Sequence, residues 1–132
     1  MTTTAPTVAD QLAARWTALW NTDPDLAREL LTDDFQLRFA ATTREATDGL
    51  RGPADVTAFV TGFRAQRPDV RFVVDSAATG TLDAEGSGTF AVRWHSERSG
   101  EPEHGGIDMM EAVGGRLRRI WSVGGSAPFA VD

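Results

Sequence analysis

The feature that most restricts the fold of this chain is the point at which helical periodicity stops. Before Pro68, apolar residues recur three and four apart. After it, apolar residues alternate with polar ones in short runs that end at glycine. Val70 to Thr81, Thr89 to Glu97, Glu103 to Val113 and Arg116 to Val123 therefore read as strands. Connections this short between strands imply antiparallel hairpins. Ahead of them, Thr7 and Asp10 form a capping-box start for a helix carrying Val8, Leu12, Trp16, Leu19 and Trp20. Asp23-Pro24 opens a second, short helix with Leu26, Leu30 and Leu31. Phe35, Leu37 and Phe39 alternate with polar neighbours as a half-buried strand, and Ala41 to Arg51 reads as a mobile polar loop. Gly52-Pro53 then opens a third helix that sets Val56, Phe59, Val60 and Phe63 on one face. Helices first and a meander afterwards is an α+β arrangement, with the helices as the only cover for the sheet. The expected shape is a cone: three N-terminal helices on a strongly curved mixed or antiparallel sheet enclosing one pocket.

Length and composition narrow the function. The 132 residues suit one domain spanning 1–132, with flexible tails expected at 1–6 and 125–132. No apolar stretch approaches the roughly 18–20 residues of a membrane span, and Met1 to Thr7 lacks a secretory pattern, so a cytoplasmic protein is expected. A net charge of −6 disfavours nucleic acid, since Arg64/Arg67/Arg71 and Arg116/Arg118/Arg119 are short clusters among acids. There is no Cys, which removes disulfides and thiolates. There is no Lys, which removes Schiff-base chemistry, because a guanidinium cannot act as the amine. This Arg-rich usage fits a GC-rich bacterial genome. Tyr is absent too, so acid–base work falls to Asp, Glu, His95 and His104.

Turn positions give a register. With Ser99-Gly100 as a two-residue turn, Phe90, Val92 and Trp94 share one face with Ile107 and Met109. Arg93, His95, His104 and Asp108 share the other. With Gly114-Gly115 as the next turn, Asp108 lies opposite Trp121, Met110 opposite Arg119, and Glu111 opposite Arg118 as an ion pair. Two assignments remain open on pattern alone. Either the apolar face packs on the helices and the polar one is solvated, or the polar face lines a pocket and the apolar one joins two copies.

Three segments between Val8 and Val123 carry a family resemblance. They are Arg15-Trp16 through Leu30-Leu31-Thr32-Asp33-Asp34-Phe35, then Gly52-Pro53-Ala54-Asp55-Val56, then Gly106-Ile107-Asp108-Met109-Met110 with Gly115-Arg116-Leu117 and Trp121. Together they resemble the SnoaL-like, polyketide cyclase-like branch of the nuclear transport factor two-like superfamily. The resemblance implies that the Asp108 face is concave and that Asp108 is a general acid/base. Ketosteroid isomerases, more distant relatives, place their base where this chain has Phe39 and use a Tyr it lacks. The epoxide hydrolase pattern wants an Asp where Val123 stands, and dehydratase-like histidines find a faint counterpart in His95 and His104.

The chemistry expected is therefore cofactor-free cyclisation, isomerisation or dehydration of a small hydrophobic, carbonyl-bearing molecule. Asp108 is the acid/base, His95 its assistant and Arg93 an anion or oxyanion partner. The binding wall is assigned to Trp121, His104, Met110 and Phe39, with Trp16, Trp20, Phe59 and Phe63 from the helices. Burial against indole and thioether raises the pKa of Asp108, while Arg93 lowers it. A metal held by His95, His104 and Asp108 is disfavoured because the ligands do not converge, and no metal or cofactor is expected. A homodimer is expected through the face of Phe90, Val92, Trp94, Ile107 and Met109. The alternative is a non-catalytic ligand-binding or dimerisation domain of the same fold.

Overall fold

A computed structural model describes residues 5–42 and 44–130. Helix α1 (Val8–Asn21) begins at the expected capping box: the Thr7 hydroxyl accepts from the Asp10 N–H, and the Asp10 carboxylate accepts from Thr7 N–H. Its buried stripe is Ala9, Leu12, Ala13, Trp16, Leu19 and Trp20, whereas Val8 is exposed. A 3-10 turn (Pro24–Leu26) runs into the single-turn helix α2 (Ala27–Leu30). Leu31, expected in that helix, instead starts strand β1 (Leu31–Phe39). The polar stretch read as a loop contains a further helical turn, α3 (Glu45–Asp48), with Thr47 buried and the Arg38 guanidinium donating to the Asp48 carbonyl. Helix α4 (Gly52–Gln66) has proline in its first turn and buries Val56 and Val60.

The strands are β2 (Val70–Val74), β3 (Thr79–Leu82), β4 (Gly88–Arg98), β5 (Glu101–Val113) and β6 (Arg116–Gly124). The single strand expected over Val70 to Thr81 is thus two, both antiparallel to β4. The order is β1-β6-β5-β4-β2 with β3 also on β4, and β1 runs parallel to β6. The fold is α+β, a mixed six-stranded sheet with helices against it, and the core lies between the two layers. The tails expected at 1–6 and 125–132 fall partly outside the described residues, at 1–4 and at 131 and 132. Within the described part, Gly125 N–H donates to Gly105 O and Gly105 N–H to Ala127 O, which ties the chain after β6 back to the sheet.

Both hairpin turns stand where the sequence places them, but neither register survives the length of its strands. Arg98 pairs with Glu101 across Ser99-Gly100, and Val113 with Arg116 across Gly114-Gly115. A bulge then leaves Glu103 unpaired between Pro102 and His104, and a second leaves Arg118 unpaired between Leu117 and Arg119. Each extra residue shifts the pairing by one and exchanges the faces. Val92 lies opposite Asp108, Asp108 opposite Ser122, and Met110 between Phe90 and Ile120. His95 pairs with Gly105 rather than His104. Arg119, not Arg118, registers with Glu111, although Arg118 still reaches that carboxylate at 4.0 Å.

Candidate functional site

Between the helices and the sheet is a cavity of about 230 Å³. Helix α1 contributes Trp16, Thr17 and Trp20, and α4 contributes Phe59 and Phe63. The strands add Leu37 and Phe39 from β1, Phe72 and Val74 from β2, Val92 and Trp94 from β4, Asp108 and Met110 from β5, and Ser122 from β6. The helical members come from the 3.6-residue period and the strand members from alternation on the inner face. Trp20 is the hub of the wall, with Trp16, Phe59, Phe63 and Phe72 each meeting it edge-on at ring separations of 5.2–6.1 Å.

Asp108 is the single ionisable side chain among these lining residues. It is 7% exposed, and its Oδ1 accepts from the indole Nε1 of Trp94 at 2.9 Å. Loss of hydration pushes its pKa above the ordinary carboxyl value, and hydrogen bonds from Ser122, Trp94 and Trp16 pull against that shift without overcoming it. The competing effect expected from Arg93 is absent, because Arg93 is exposed on the opposite face, in register with Ile107.

The sequence-derived residues therefore divide. Asp108, Met110, Phe39, Trp16, Trp20, Phe59 and Phe63 all line the cavity. His95 does not: it lies on the outer face, with Nδ1 2.7 Å from Asp75 Oδ1 and Nε2 3.8 Å from Glu97 Oε1. His104 is exposed beside Glu103 at 3.4 Å. Trp121, 38% exposed, also faces away from the cavity. Arg93, His95 and Trp121 are thus turned away from Asp108 by the two bulges, whereas His104, four residues from Asp108 on the same strand, is displaced toward the exposed end of β5. His95, His104 and Asp108 do not converge on one point, and among the described residues no cluster of three or more His, Asp or Glu side chains could hold a metal ion. The face expected to join two copies is split as well: Phe90, Val92 and Trp94 point inward, while Ile107 and Met109 are exposed outside.

Thr17, Leu37, Phe72, Val74, Val92, Trp94 and Ser122 line the cavity without having been assigned there. For Val92 and Trp94 on β4 and Ser122 on β6 a signal existed. Leu117 and Ile120 are three residues apart, so strict alternation cannot bury both, and Pro102 has no N–H to give the ladder. Each marks one of the bulges.

The structure is thus a mixed sheet covered by helices, over an aromatic cavity that holds one buried carboxyl. The family model described as SnoaL-like domain matches residues 12–120, and the chain belongs to that family. Among solved structures it is similar to a candidate isomerase of the SnoaL-like family from Agrobacterium tumefaciens, at 16% identity and TM-score 0.68 over 87% of this chain and 95% of that one. It is also similar to IdmH, a candidate polyketide cyclase from Streptomyces antibioticus, at 18% identity and TM-score 0.66 over 86% and 89%. A nuclear transport factor two-like protein of unknown function from Cytophaga hutchinsonii matches at 11% identity and TM-score 0.61 over 94% and 95%. No curated protein sequence matches significantly. Among the described residues, no helix is long and apolar enough to cross a membrane.

Proposed function

We propose that this protein is a cofactor-independent acid–base enzyme acting on a small hydrophobic molecule with an enolisable carbonyl group. The observation that carries this reading is one buried carboxyl in a cavity otherwise lined by aromatic and aliphatic side chains with two hydroxyls. A carboxyl whose pKa is raised is a stronger base when ionised and still a proton donor when neutral, which suits proton transfer near neutral pH. The candidate isomerase and polyketide cyclase among the structural relatives support the same reaction class.

In this reading the Asp108 carboxylate takes a proton from the carbon next to the carbonyl, and the C–H electron pair becomes the enolate. Two outcomes conserve atoms and charge. Return of the proton at a different carbon is an isomerisation. Attack of the enolate carbon on a second carbonyl closes a ring, and the new alkoxide takes the proton back from Asp108. The aromatic wall orients the apolar body of the ligand and excludes water. His95 and Arg93 have no part in this scheme.

The test needs no knowledge of the final product. The protein is incubated in D2O with a panel of hydrophobic ketones and diketones, and deuterium incorporation next to the carbonyl is followed by NMR. Exchange above background by the wild type, lost in Asp108→Asn, is expected. Exchange by neither protein, with ligand still quenching the cavity tryptophans, would assign the fold a non-catalytic binding role instead.

We also propose that the outer face of β5 and β6 joins two copies of the chain. Ile107 pairs with Val123, and Met109 with Trp121, as adjacent exposed apolar rows.

A further inference from the structure

We propose that Trp94 is the positioning residue of the buried carboxyl: its indole N–H, which donates and never accepts, holds Oδ1 of Asp108 as an accepting oxygen whether the group is neutral or ionised. This deepens the acid–base reading, on which its relevance to catalysis rests. A neutral carboxyl has one good acceptor, the carbonyl oxygen, and one hydroxyl oxygen that donates. With the indole Nε1 2.9 Å from Oδ1, that oxygen is the accepting, carbonyl one when the group is neutral. When the group ionises, the same bond becomes charge-assisted and stronger, so it steadies the carboxylate against the burial that destabilises it. The indole cannot relay a proton. A proton that Asp108 exchanges therefore does not pass through Trp94.

The indole is held over a pair of glycines. Trp94 registers with Gly106 on β5, and Gly106 with Gly124 on β6. A Cβ on Gly106 would stand 2.2 Å from Cζ2 and 2.5 Å from Cε2 of the indole, far inside van der Waals contact. One on Gly124 would lie 3.6 Å from Cη2. The indole thus rests on a glycine shelf, and the Phe72 ring meets it edge-on at 5.8 Å. No side chain that α1, α4, β1, β2, β4 or β6 sends to the cavity is ionisable, so the donors around Asp108 act on it without a competing charge.

The test reads protonation rather than turnover. Full-length protein carrying carboxyl-labelled aspartate is titrated by carbon NMR, with tryptophan indole N–H resonances followed in parallel. In the wild type the Trp94 indole resonance is expected to move with the Asp108 midpoint and to stop moving in Asp108→Asn. Trp121, on the other face, serves as the unresponsive reference. In Trp94→Phe the Asp108 midpoint shifts upward, and Gly106→Ala, which retains the indole but displaces it, shifts it in the same direction. A Trp94 resonance blind to Asp108, or an unchanged midpoint in a folded Trp94→Phe, overturns the proposal. The wild-type measurement decides it even if both variants misfold. A shifted midpoint without deuterium exchange by the wild type would retire the enzymatic reading alone, and an unchanged midpoint with exchange intact would retire the positioning role alone.

Discussion

Burial of Asp108 makes its protonation state part of the protein's stability. Below the usual aspartate range, near 3.9, both the folded and the unfolded chain carry a neutral carboxyl there, and burial of the charge costs nothing. As pH rises, the unfolded chain ionises first, because the folded value is raised by desolvation. The folded state then binds more protons than the unfolded one, so stability falls with rising pH and levels off above the folded midpoint. Asp108→Asn removes this loss. Urea unfolding at a series of pH values is expected to show the wild type losing stability relative to Asp108→Asn as pH rises out of the acidic range, and parallel curves would contradict it. Asp108 could be found in the sequence because a Lys-, Tyr- and Cys-free chain leaves only Asp, Glu and His to transfer protons and the family pattern singles out one. His95 met the same criterion and failed, since a titratable residue reveals its chemistry and not its face. Asp75 and Glu97 flank it on the outer face, 2.7 and 3.8 Å from its ring nitrogens.

At the scale of elements, the helix periodicities and turn residues carried most of the information. The capping box at Thr7, proline in the first turn of α4 and the glycines of both hairpins each follow from local chemistry that tertiary packing did not override. The strand faces were harder, because a face depends on every residue between it and the turn. Ala112 still pairs with Leu117 as the turn dictates, but one extra residue at Arg118 moves Met110 opposite Ile120 and turns Trp121 outward. The same sensitivity makes the aromatic wall, rather than any one strand, the element that joins the layers. Trp20 on α1 touches Phe59 and Phe63 of α4 and Phe72 of β2. Trp20→Ala is expected to cost about 3 kcal/mol, the low end for a buried aromatic because one side of the ring already borders a cavity. The urea midpoint should fall with the slope unchanged. A loss below about 0.5 kcal/mol, the size of an ordinary surface change, would show that the rings repack around the gap.

For the whole molecule, the consequence of the two bulges is a division of labour between the faces of one sheet. The inner face of the β5–β6 hairpin keeps Asp108, Met110, Ala112, Leu117, Ile120 and Ser122 against the core, and the outer face presents Ile107, Met109, Trp121 and Val123 to solvent. Exposed apolar side chains scattered singly need no explanation, but two adjacent cross-strand pairs form a continuous strip. A second copy is a natural partner, because an uncharged strip meets itself across a two-fold axis without like charges opposed. Four side chains supply only part of the roughly 800 Å² per partner that a standard interface buries. Arg93 and the His95–Asp75 pair on the flanking strands would then form a polar rim. Sedimentation velocity is expected to show a dimer for the wild type and a monomer for the double variant Met109→Glu/Val123→Glu. Both substitutions lie outside the core, so the urea midpoint of the separated chain should change little. A wild type that sediments as a monomer at high concentration would remove the dimer. Loss of the dimer in the variant with deuterium exchange intact would mean that each copy builds its cavity alone.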